Sequence, residues 1–74
     1  MPHVNIKHFP VTMTPEQQTA LMTTITQALE NALGCEAGAV SIALEPIDPE
    51  EWQEKVYGPE IRDRAHLLCK TPDY

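Results

Sequence analysis

The chain has 74 residues, with eleven acidic and five basic side chains, for a net charge of −6. A field of that sign repels nucleic acid and anionic membranes, and the five cations (Lys7, Lys55, Arg62, Arg64, Lys70) form no run that would reverse it locally. One domain, residues 1–74, accounts for this length, and a core so small ordinarily needs disulfides, a metal or oligomerisation to stand.

Met1-Pro2 precedes an alternating run, His3 to Phe9. Val4 and Ile6 share one face with His8, while His3, Asn5, Lys7 and Phe9 share the other. This predicts a half-buried strand with Val4 and Ile6 toward the core. Pro10 ends it, because proline donates nothing to a sheet ladder. If Met1 is removed, as a small second residue generally permits, Pro2 presents a free secondary amine at the head of this strand.

The next segment reads as a helix over 14–33. Thr14 is a suitable N-cap, Pro15 fits the first turn, and Gln17 completes a capping box. Leu21, Ile25, Ala28, Leu29 and Ala32 form one apolar stripe, and Gly34 is placed to stop the helix in a left-handed turn. After a turn at 36–38, Val40, Ile42 and Leu44 alternate with Ser41, Ala43 and Glu45, which predicts a second strand over 39–45. Strand, long helix and strand make a βαβ unit with parallel strands and a right-handed crossover. Two strands are a poor sheet. A second copy would extend it to four, with both helices on one face, so the expected fold is α/β (α+β) with the sheet completed by dimerisation.

The tail reads as short helical pieces. Asp48-Pro49 starts the first, which carries Trp52 and Val56 and ends near Gly58. Pro59 opens the second, in which Ile61, Ala65 and Leu68 share a face, and Pro72 ends it.

Cys35 and Cys69 stand alone, without CxxC spacing, and no leader or membrane-spanning run is recognisable, so the reading is a cytoplasmic protein with reduced thiols. No spacing of these cysteines with His3, His8 or His66 fits a metal site, and no metal is expected. There is no paired-carboxylate site, phosphate loop or Ser-His-Asp order.

The group with distinctive chemistry is Pro2. A secondary amine can take a proton from a carbon acid or an enol, or form an iminium with a carbonyl. Ordinary α-amino groups titrate near pKa ~8. An apolar, water-poor pocket disfavours the ammonium and makes the neutral base available at neutral pH.

The ordered set of features resembles the 4-oxalocrotonate tautomerase family, most nearly its small PptA-type branch. It comprises Met1-Pro2-His3, Ile6-Lys7 and Phe9-Pro10 in the first strand, Glu16-Gln17-Gln18 at the helix start, and Ser41-Ile42-Ala43-Leu44 in the second strand. Pro49-Glu50, Trp52-Gln53, Lys70, Pro72 and Tyr74 follow. The resemblance implies a cofactor-free isomerase whose N-terminal proline shuttles a proton in keto–enol tautomerisation. It also implies a homodimer, other branches being hexamers.

One departure narrows the substrate. Family members acting on dicarboxylates carry arginines after the first strand and in the second strand, where this chain has Val11, Thr12, Met13 and Ser41; its first arginine is Arg62. The bidentate clamp for a second carboxylate is missing. An apolar or aryl enolpyruvate-type 2-oxo acid fits better, with its carboxylate on backbone N–H groups, Ser41 or His3 and its ring on Trp52, expected as an aromatic wall beside Pro2. Lys7, on the face of His3, reads as a solvated or salt-bridged side chain, with an electrostatic role toward a carboxylate as its functional alternative. The competing readings are a non-catalytic dimeric binding module, motivated by the missing arginines, and a related proline-dependent dehalogenase, hydratase or decarboxylase.

Overall fold

A computed structural model describes residues Met1–Tyr74. Two strands, β1 (His3–His8) and β2 (Ser41–Pro46), pair in parallel, His3 opposite Ser41 and His8 opposite Pro46. The ladder extends one step at each end, where Ser41 N–H donates to the Pro2 carbonyl (3.1 Å) and Ile47 N–H to the His8 carbonyl (2.8 Å). The register sets Val4 beside Ile42 and Ile6 beside Leu44, making one half-buried apolar face. The other face carries His3, Asn5 and Lys7 next to Ser41, Ala43 and Glu45.

The connection is helix α1 (Pro15–Leu33), and its ends are built as the sequence predicts. The Thr14 hydroxyl accepts from Gln17 N–H and the Gln17 side chain accepts from Thr14 N–H, closing the capping box. Gly34 takes the left-handed conformation (φ 67°) and donates to the Glu30 carbonyl. The half-buried stripe is Leu21, Met22, Ile25, Thr26, Leu29 and Glu30. Ala28 and Ala32, expected in it, are exposed, so the buried face is rotated toward Met22 and Thr26.

Two boundaries move. Ala37–Ala39 close a 3-10 turn, delaying β2 to Ser41, and Pro46 still pairs because a parallel edge needs no donor at that position. The tail departs further. Pro49–Glu51 form a single 3-10 turn without a side-chain cap from Asp48, and Gln53–Arg62 then run as one π-helix straight through Gly58 and Pro59. The expected break at Gly58 does not occur. A π-helix bonds residue i to i+5, as in the Asp63 N–H to Gly58 carbonyl bond of 3.0 Å, and its wider turn absorbs the proline. Ala65–Leu67 add a last 3-10 turn.

Gly58 is buried because its neighbours close on it: a Cβ there would lie 3.2 Å from the Gln53 carbonyl and 3.4 Å from the Arg62 guanidinium. The near atom is backbone and yields little. Gly58→Ala is expected to lower stability by about 1 kcal/mol despite the reduced freedom of its unfolded chain, read as a lower denaturant midpoint.

Only three residues are buried, and Ile47 and Val56 are the apolar ones, so a protomer has too little core to stand alone. Both strands are edges, and Phe9, Val11 and Leu33 expose large apolar surfaces. Oligomerisation completes the sheet. No helix is long and apolar enough to cross a membrane.

Candidate active site

The head of β1 gathers three of the residues singled out in the sequence. Pro2 is half-buried, and its carbonyl is fixed by Ser41 N–H, which ties the residue to the start of β2. The register sets Ser41 directly beside His3, and His3 Nδ1 lies 2.6 Å from Ser41 Oγ. A hydroxyl held by an imidazole therefore stands next to the proline. Met1 is fully exposed, so nothing packs over the Met1–Pro2 bond.

Trp52 is elsewhere. It follows the turn after β2, and its ring meets Phe9, just past the other end of β1, edge-on at 5.1 Å. β1 is roughly 17 Å long at about 3.3 Å per residue. Within one chain, then, Trp52 does not wall the Pro2 corner. The structure unites Pro2, His3 and Ser41 and separates Trp52 from them.

Around Trp52 lies a feature the sequence does not reveal. Its indole N–H donates to the Tyr74 hydroxyl (3.1 Å), and Tyr74 stacks at a tilt on Tyr57 with centroids 5.8 Å apart. Phe9, Trp52, Tyr57 and Tyr74 are all the aromatic residues of the chain. They join in one cluster from four distant positions. Lys7, His8, Phe9, Trp52, Gln53 and Tyr74 line a cavity of about 610 Å³ beside it, enough for a small aryl acid.

Polar contacts frame this end. Lys7 Nζ donates to Asn5 Oδ1 (2.8 Å) and lies 3.7 Å from Glu45 and 3.4 Å from Glu60, linking β1, β2 and the π-helix. His8 Nδ1 is 2.7 Å from the Phe9 carbonyl, an acceptor only, so that nitrogen carries the hydrogen. His8 Nε2 is buried without a partner. The strongest electrostatic perturbations lie away from both clusters, on the solvated tail. A hydrogen bond from Arg62 holds the Asp63 carboxyl below its ordinary range, and Glu51 raises the Lys55 ammonium. No group of three or more histidine, cysteine or acidic side chains is arranged to hold a metal.

Residues 2–62, from Pro2 through the π-helix, match the family model described as "Tautomerase enzyme". The chain belongs to the tautomerase family. Its relatives define the branch. It is 45% identical to Tautomerase PptA of Klebsiella pneumoniae (strain 342) over 74 residues, covering all of this chain and 97% of that one. It is 38% identical to Tautomerase PptA of Escherichia coli O139:H28 and 35% identical to that of Cronobacter sakazakii, with the same coverage. A solved structure, TomN, a 4-oxalocrotonate tautomerase homologue in the tomaymycin biosynthetic pathway, superposes with a TM-score of 0.57 at 26% identity, covering 88% of this chain and 95% of that one. The βαβ unit with parallel strands is therefore the tautomerase fold, and the protein is a PptA-type tautomerase, an isomerase.

Proposed function

We propose that the tautomerase, with Met1 removed, interconverts the enol and keto forms of an apolar or aryl enolpyruvate-type 2-oxo acid, with Pro2 as proton shuttle and no cofactor. The observation that carries this reading is the corner made by Pro2, His3 and Ser41, where a proline tied to β2 sits beside a hydroxyl engaged by an imidazole. The neutral Pro2 nitrogen takes the enol O–H proton. The O–H electron pair becomes the carbonyl π bond, and the C=C pair accepts a proton from the prolinium at the neighbouring carbon. The amine is regenerated in one turnover. Ser41 and His3 hold the enol oxygen as charge develops on it.

Two copies form the working unit in this reading. Like edges that pair about a twofold axis run antiparallel, so the Phe9 end of one β1 lies near the Pro2 end of its partner. The aromatic cluster of one protomer then covers the proline of the other, and Trp52 is the wall of an intermolecular site. A homodimer suffices because the sheet face that carries Asn5, Lys7 and Glu45 is already covered in part by the π-helix, which reaches it through the Lys7–Glu60 contact. A small, cofactor-independent enzyme with two free thiols fits the cytoplasm.

An N-terminal extension tests the chemistry. With residues fused ahead of Met1, Pro2 stays a tertiary amide and cannot act as a base. Ketonisation of phenylenolpyruvate, followed by ultraviolet absorbance, is expected from protein whose mass shows Met1 lost and not from the extended form. Equal turnover by the two would reject the proline mechanism.

A further inference from the structure

Resting on the reading of the aromatic cavity as the substrate's berth, we infer that Lys7 is the cation that binds the substrate carboxylate there, in place of the arginines this chain lacks. The site takes aryl carboxylates, with the ring against Phe9 and Trp52 and the acid group on Lys7 Nζ.

Three observations meet at this residue. Of the five basic side chains, only Lys7 lines the cavity. Arg62 is held by Asp63, Arg64 faces Glu60 and Lys55 is paired with Glu51, all outside it. Next, the ammonium has spare donors. It has three N–H groups, and one is engaged at 2.8 Å by Asn5. Glu45 and Glu60, at 3.7 and 3.4 Å, stand beyond the ~2.7–2.9 Å of a charge-assisted hydrogen bond. They leave its remaining N–H groups unsaturated. Lastly, the surroundings favour pairing. Lys7 is about three-quarters buried (24% side-chain exposure) and the cavity beside it is walled by Phe9 and Trp52, so a carboxylate arriving there gains more from an ammonium than it would in water.

The test is calorimetric titration of the oligomeric protein with cinnamate and with its neutral isostere cinnamamide, for wild type, Lys7→Met and Lys7→Arg. Wild type is expected to prefer cinnamate by tenfold or more. Lys7→Met should lose that preference by weakening cinnamate alone, and Lys7→Arg should keep it. The inference is overturned if Lys7→Met retains the preference. It is overturned also if both ligands weaken alike, which would make Lys7 only a brace between strands and π-helix, or if wild type binds neither. Binding is read without turnover and can be repeated in Pro2→Ala, so failure of the proline mechanism and failure of this assignment are separable.

Discussion

Pro2→Ala is expected to cost the tautomerase 100- to 10,000-fold or so in kcat/KM, the range typical for losing a positioned general base. Alanine keeps a free terminal amine once Met1 is removed but loses two properties. Its nitrogen is primary, a weaker proton carrier for this task, and no ring fixes φ, so the amine samples several directions from the head of β1. What remains unchanged is the anchoring of that head, since the Ser41 N–H bond goes to the residue-2 carbonyl. Stability should therefore move little while turnover collapses. The check is kcat/KM on phenylenolpyruvate with a denaturant curve on the same sample. Near-wild-type turnover by the variant would remove the proline from the mechanism.

Local interactions leave the clearest mark in the sequence. The ends of α1 were legible because caps are local: Thr14, Pro15, Gln17 and Gly34 act within a few residues of one another. The βαβ unit was legible from two periodicities and a helix between them, and the strand pairing follows from that topology. The π-helix was not. Gly58-Pro59 signals a stop in an α-helix, and nothing in residue spacing distinguishes an i→i+5 turn that tolerates both. The apolar stripe of α1 keeps Leu21, Ile25 and Leu29 but widens toward Met22 and Thr26 and leaves Ala28 and Ala32 exposed, a rotation that residue spacing does not encode.

The candidate site divides the same way. His3 and Ser41 are 38 residues apart and meet because the register pairs them, which the parallel topology alone does not fix. Trp52 belongs to a different end of the protomer. In the proposed intermolecular site the aromatic wall and the proline meet only through a second copy, and no intrachain pattern encodes which end of a strand faces its neighbour. The aromatic cluster is equally silent in sequence, since positions 9, 52, 57 and 74 share no period.

Trp52→Ala carries the second large effect, and it has two parts. The edge-on contact with Phe9 and the hydrogen bond to Tyr74 are both lost, and a cavity opens where the π-helix begins. The ring is only half-buried, so the stability cost falls at the lower end of the large-to-small range, about 3 kcal/mol. Trp52→Phe should keep most of it, losing the donor but not the wall. On aryl substrate, Trp52→Ala should fall by about 10- to 100-fold in kcat/KM from loss of ring contact. Complementation then locates the site. Co-refolded Pro2→Ala and Trp52→Ala chains form mixed dimers in which one of the two shared sites has both native residues. About half the dimers are mixed, so about a quarter of wild-type activity should return. If Trp52 instead serves the Pro2 of its own chain, every site in the mixture lacks one residue, and activity stays at the sum of the two variants.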